Sequence, residues 1–317
     1  MKWFIRIVLS AFILCLGGWL LYKERMLFPD FKDINYIFLG LLFLFQSLFF
    51  WTTGWTFALL TRLVGVRLCL FETYGLSIIN TFGNYLGPFK PGAAIKAFYL
   101  KKKRNLPYTQ FLSIMGANVF LGMTVTGGTA IVLIVILGNL RNHQDLIVLI
   151  CSTALFLVGL VPFFLRKGPL SRIKWPAFLE STKEGINIIF GNLTSVLLIS
   201  LTYLVQILHT GIIFKVAFLA FGIEFPFYKA VFIAVFSSLS YVVAVTPNNI
   251  GIQETVSGLL ALLVGADFIQ GVAASSLVRV SHIAISFLLA PYFLGKLFED
   301  VPFKIRDFLK PRTGTAS

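Results

Sequence analysis

Six stretches of this chain are apolar for about 20 residues or more, at 4–22, 34–60, 108–137, 146–165, 193–221 and 268–294. Twenty helical residues rise about 30 Å, the thickness of a bilayer's hydrocarbon core. A chain built from such stretches has nowhere in water to put its side chains. Charged residues are 13% of the total, about half the share of a soluble domain. Mean hydropathy is +0.87. These values exclude a soluble globule and, equally, a disordered chain. The expected fold class is an all-α polytopic membrane protein with about six transmembrane helices. The stretches at 34–60, 108–137 and 193–221 exceed 25 residues and are expected to tilt or kink. No small-x-small cleavage site follows the first stretch, so it reads as an uncleaved span.

Two further apolar regions, 73–100 and 230–264, share a different pattern. In the first, apolar arms flank the break Gly87-Pro88-Phe89-Lys90-Pro91-Gly92. In the second they flank Thr246-Pro247-Asn248-Asn249-Ile250-Gly251. Each arm is too short to cross, and each break concentrates residues that stop or reverse a helix. Two short arms around such a break read as a re-entrant helical hairpin. Irregular backbone at membrane depth persists only inside protein or beside a watery cavity, so Pro88, Pro91, Gly92, Pro247 and Gly251 are expected within the bundle.

Each hairpin lies between two spans, the first between 34–60 and 108–137, the second between 193–221 and 268–294. That order predicts an inverted repeat. The charge pattern fixes a direction. With both termini in the cytoplasm, inner segments carry 20 Lys and Arg and outer loops carry 5, the bias of the positive-inside rule. The chain then reads as one transmembrane domain over 1–300 and a short basic cytoplasmic tail over 301–317, in the cell inner membrane. The segment from 166 to 192 is either an amphipathic helix on the inner leaflet or an ordinary loop. The net charge of +14 flanks apolar spans, which argues for headgroup contact rather than nucleic-acid binding.

Ionisable residues at membrane depth are costly and become site candidates. Arg279 lies in the middle of the last stretch, and Glu254 begins the outgoing arm of the second hairpin. An ion pair between them would neutralise both and dock the hairpin. Lys90 lies in the first break and Lys96 one turn beyond Gly92. Helix N-termini near both breaks would add free N–H groups. Asn80, Asn84, Asn248 and Asn249 could supply uncharged hydrogen bonds, although Asn is also a turn residue. Together Lys90, Lys96, Asn84, Asn248, Asn249 and Arg279 suggest a site for an anionic headgroup; snorkelling lysines at the interface are the plainer alternative. The span histidines, His209 and His282, read as packing residues. Cys15, Cys69 and Cys151 show no metal or disulfide spacing and read as apolar packing. No enzyme motif is found, and neither a metal nor another cofactor is expected.

Pro91-Gly92 with a basic residue four positions on, then Gly251-Ile-Gln-Glu254 with Arg279 further along, resemble the lysylphosphatidylglycerol synthase transmembrane-region family. The resemblance covers about residues 5–297 and is fullest in the run from Pro247 to Glu254 and at Gly265, Ala273 and Arg279. The first half departs from the family pattern. Ala93-Ala94 stand where the family tends to have Gly-Glu, and Lys96 takes a position usually held by Arg. Ala117-Asn118 stand where Glu-Arg is common. The resemblance implies lipid handling: a flippase-like translocator or lipid-binding transporter for an anionic or aminoacylated phospholipid or an isoprenoid-phosphate lipid. It does not imply a lysyl transferase, and no enzyme is expected; a membrane-embedded transferase acting on a lipid phosphate is the weakest of the readings, because buried carboxylates are nearly absent. The alternative is a non-catalytic accessory subunit of a glycan- or lipid-synthesis enzyme. Membrane lipids are the expected partners, with such an enzyme or a second copy in a homodimer left open.

Overall fold

A computed structural model describes residues 34–87, 91–137, 143–167, 180–238 and 247–299. The first predicted span, Pro88 and Lys90 in the first break, and the basic tail lie outside the described residues. Every regular element is helical: α1 Tyr36–Leu63, α2 Leu70–Tyr85, α3 Pro91–Arg104, α4 Tyr108–Leu137, α5 His143–Gly159, α6 Val161–Lys167, α7 Glu180–Ile189, α8 Leu193–Ala220, α9 Phe227–Ser237, α10 Ile252–Leu263 and α11 Phe268–Leu297. A 3-10 turn, Pro247–Asn249, precedes α10.

Helices α1, α4, α8 and α11 are long and apolar enough to cross a membrane, which makes this a multi-pass membrane protein. The expected span at 146–165 takes a different form. Helix α5 stops at Gly159 and α6 begins after a one-residue turn at Leu160. Pro162 explains the interruption, because it has no N–H to offer the Val158 carbonyl. Of the segment from 166 to 192, the part at 180–189 is helical, and Ile186, Ile189 and Phe190 bury one face of it against the core. Cys69 and Cys151 are exposed rather than packed.

The expected hairpin arms are α2, α3, α9 and α10, of 16, 14, 11 and 12 residues. Residues 239–246, the rest of the third expected arm together with Thr246 of the break, lie outside the described residues; at 1.5 Å per residue α2, α3 and α10 reach about 24, 21 and 18 Å, all short of a 30 Å core. The four-helix units α1–α4 and α8–α11 are joined through α1 and α8. The Asn35 N–H donates to the Ala220 carbonyl at 2.9 Å. His209 Nε2 lies 2.9 Å from the Phe45 carbonyl, and Thr56 Oγ1 donates to Thr202 Oγ1 at 2.9 Å. Residue numbers rise along one helix as they fall along the other, so the two are antiparallel. Across the units, α11 packs on α1 and α2, and α4 packs on α8 and α9. A two-fold relation between antiparallel partners has its axis perpendicular to them, in the membrane plane. This is the geometry of an inverted repeat.

Two apolar cores result. One gathers Phe57, Leu76, Leu100, Ile114 and Phe293 at the end of the bundle that holds Arg104; we refer to this as the basic end. The other gathers Leu42, Phe214, Phe218, Ile233 and Leu260 at the opposite end. Between them the side chains turn polar.

The first hairpin closes over a glycine contact. A Cβ on Gly92 would lie 1.9 Å from the Asn80 carbonyl oxygen, so α2 and α3 approach at a distance only glycine permits. At the basic end, its mouth is tied by Glu72. The carboxylate accepts from Arg104 Nη2 at 2.6 Å, from the Tyr99 hydroxyl at 2.6 Å and from the Cys69 N–H at 2.9 Å. Burial pushes the Glu72 carboxyl up, but the bonds from Arg104, Tyr99 and Cys69 outweigh it and hold it below the ordinary carboxylate range.

Gly92→Ala should therefore prevent the hairpin from closing and abolish recovery of folded, monodisperse protein. Gly40→Ala, where a Cβ meets nothing within 4 Å, should leave it intact; size-exclusion profiles of the two compare them. Because the Glu72 value is lowered on folding, its contribution is complete above the ordinary carboxylate value of about 4 and is lost as pH falls through the lowered one. Thermal melts should show this acid loss in the wild type and a flatter profile in Glu72→Gln. At neutral pH that variant should be less stable by on the order of 1–3 kcal/mol.

Candidate functional site

The second hairpin break shows how unpaired backbone survives at membrane depth. Asn248 and Asn249 sit in the left-handed region, with φ of 44° and 58°, and Gly251 follows with φ of 84°. Asn tolerates this region better than most residues, so the turn role of the two asparagines is the one they take. Their carbonyls point at Arg279. Arg279 Nη1 donates to the Asn248 carbonyl at 3.0 Å and Nη2 to the Asn249 carbonyl at 3.3 Å. Nη2 also donates to Gln253 Oε1 at 3.0 Å, and Nε pairs with Glu254 Oε1. The other oxygen of Glu254 accepts from the Gly251 N–H at 2.8 Å, capping α10. Tyr85, at the end of α2, lies within hydrogen-bonding reach of Asn248 and Arg279. Hence both hairpins meet around one guanidinium whose donors are engaged by the protein itself. The side chains of Glu254 and Arg279 are only 12% and 10% exposed.

Asn84 is also used internally: its Oδ1 accepts from the Gly92 N–H at 3.2 Å. His282 Nδ1 bonds Gln46 Nε2, and His209 bonds the Phe45 carbonyl. Both histidines hold helices together.

Lys96 is different. It is 8% exposed, so it does not snorkel. Its Nζ lies 4.0 Å from the centroid of the Phe57 ring, a cation–π contact. Among the described residues, its ammonium has no carboxylate partner. It lines a cavity of about 190 Å³ between α1, α2, α3, α4 and α8. The walls carry Thr53, Thr56, Ser77, Asn80, Thr81, Asn118, Tyr203 and Gln206, with Phe49, Phe57 and Met115 completing them. A network holds these groups in place. Thr53 Oγ1 lies 2.7 Å from Ser77 Oγ. Gln206 Nε2 donates to the Thr52 carbonyl at 3.3 Å and to Thr56 Oγ1. The Tyr203 hydroxyl is 2.7 Å from both the carbonyl and the side-chain oxygen of Asn118.

The cavity thus offers one cation and a ring of hydroxyls and amides, with no acid in its wall. Such a set suits a singly or doubly charged oxyanion. Arg279, Asn84, Asn248 and Asn249 are not among its lining residues; the three asparagines belong to the hairpin tips and Arg279 to α11. Sequence reasoning reached Lys96 and Asn80 but not Thr53, Thr56, Ser77, Tyr203 or Gln206. The signal was present as helical spacing: Thr53 and Thr56 are three apart in an apolar span, and so are Tyr203 and Gln206. Polar residues at such intervals share one face.

Removing one partner of the buried pair should leave the other uncompensated, costing about 3 kcal/mol or more. We expect Arg279→Met and Glu254→Gln each to lower stability on that scale, and the double variant to cost clearly less than the sum. Chemical denaturation of the four proteins in detergent closes this cycle.

No curated protein matches the chain at a significant level. A family model described as the lysylphosphatidylglycerol synthase TM region matches residues 3–290, a stretch that contains both hairpins, the Arg279 junction and the Lys96 cavity. On that match the protein belongs to the lysylphosphatidylglycerol synthase transmembrane-region family.

Proposed function

We propose that the protein is a lipid translocator, or a lipid-binding transporter, that takes an anionic headgroup at Lys96. The observation that carries this reading is a buried ammonium with no acidic partner among the described residues, in a polar cavity of a membrane bundle. A charge held in that way raises the energy of the empty protein. A phosphate offers the missing negative charge, and the neighbouring Thr, Ser, Asn, Gln and Tyr groups offer donors to its oxygens. The acyl or isoprenoid tails would stay in the bilayer. Phospholipids, aminoacylated phospholipids and isoprenoid phosphates all carry the required phosphate.

The motion would be one repeat rocking against the other about the α1–α8 contact. The second hairpin is fastened at its tip by Arg279 and the first at its mouth by Glu72. In this reading the hairpins are re-entrant, both termini are cytoplasmic, and the chain resides in the inner membrane without catalysing a reaction. The accessory-subunit reading rests on the basic end of the bundle, which could hold an acidic partner enzyme.

Reconstitution in liposomes with a headgroup-accessible fluorescent anionic lipid tests the proposal. Lys96→Met should slow leaflet exchange about tenfold or more, the equivalent of one charge-assisted contact of about 1.4 kcal/mol. The same variant should melt no lower than wild type, because it removes an uncompensated buried charge. Undiminished exchange in Lys96→Met would overturn the site. A wild type without exchange activity that co-purifies with a lipid- or glycan-synthesis enzyme would favour the accessory role.

A further inference from the structure

A second, outward-facing concavity lies at the basic end of the bundle, on the opposite side of α1 from the Lys96 cavity. Helix α1 ends at Leu63, Gly65 turns the chain with φ of 88°, and α2 begins at Leu70. Beneath this turn the two helices are drawn together, since a Cβ on Gly54 would lie 2.5 Å from the Thr73 carbonyl oxygen. The resulting groove has a volume of about 240 Å³. Its apolar wall is Trp55, Leu59, Leu68 and Leu70, and its rim is Arg62 and Arg67.

Several observations together specify an occupant. Both arginines are exposed, and among the described residues neither has a carboxylate partner. Glu72, the acid nearest in sequence, is committed to Arg104, Tyr99 and the Cys69 N–H. Trp55 is 49% exposed and Leu70 59%, so the groove presents its apolar wall outward, where a membrane protein meets lipid. Tryptophan favours that interfacial depth. A guanidinium matches a phosphate diester through parallel N–H···O bonds. A free anion would leave the apolar wall unused, and an uncharged lipid would leave two guanidiniums unmatched.

We infer that this groove binds an anionic glycerophospholipid of the adjoining leaflet, its phosphate between Arg62 and Arg67 and one acyl chain along Trp55 and Leu59. The bound lipid bridges the end of α1 to the start of the first hairpin. Thr53, Thr56 and Phe57 face the Lys96 cavity, whereas Trp55, Leu59 and Arg62 face this groove. The two sites are separate, and this inference stands whether or not the Lys96 cavity carries a lipid headgroup.

Trp55 serves as its own reporter. The full-length chain, which has five tryptophans, is reconstituted in liposomes with brominated phosphatidylglycerol or brominated phosphatidylcholine at equal mole fraction. The Trp55 signal is obtained by difference against Trp55→Phe. Brominated phosphatidylglycerol should quench it several-fold more strongly, and the preference should disappear in Arg62→Gln/Arg67→Gln. The melting temperature of that variant should be unchanged, since both side chains are exposed and have no carboxylate partner among the described residues. Equal quenching by the two lipids in the wild type would overturn the inference. So would a preference that survives the double substitution. Loss of the preference on adding inorganic phosphate would assign the arginines to a free anion instead and also overturn it.

Discussion

The fold depends on one requirement of a water-free interior: each backbone group released from a helix must find a partner within the protein. In the second hairpin the carbonyls of Asn248 and Asn249 accept from Arg279. That pairing brings a positive charge to the same depth, which Glu254 then neutralises. Glu254 in turn caps the helix that restarts after the break. The break, the charge and the cap are thus mutually required. With the tip fixed against α11, and α11 packed on α2, the position of the first hairpin follows.

The two halves of the molecule use the shared plan for different ends. In the second half the buried cation is spent on structure. In the first half the break is closed by neutral contacts, the Gly92–Asn80 approach and the Asn84 bond to the Gly92 N–H. Lys96 is then left facing a cavity with no acid beside it among the described residues. The ion pair of the first half sits instead at the mouth, where Glu72 holds Arg104. The ion pairs therefore lie at opposite ends of the two hairpins, at the mouth of the first and at the tip of the second.

Much of this was legible in the chain. The long spans at 108–137 and 193–221 match α4 and α8 to within a residue, because a run of apolar side chains in lipid has no alternative to a helix. The two breaks were legible because proline and glycine act locally. Arg279 and Glu254 stood out because charge is scarce in such stretches. The site was harder to read. Thr53 and Tyr203 are unremarkable singly, and their convergence depends on α1 and α8 packing antiparallel. The interruption at Leu160 was also missed, although Pro162 marks it, because hydropathy averages over a single lost hydrogen bond.

Sequence by itself determined the class of solvent, the helices, the two breaks and the family resemblance, since each follows from short-range composition and spacing. Tertiary structure decided which buried cation is occupied. Arg279 and Lys96 look alike as isolated positive charges in apolar surroundings. Only packing shows that one has four acceptors from the second hairpin and the other an aromatic ring and a polar cavity. The difference is set by residues 25 to 39 positions away in the chain, brought within 4.0 Å by helix packing that no local pattern encodes.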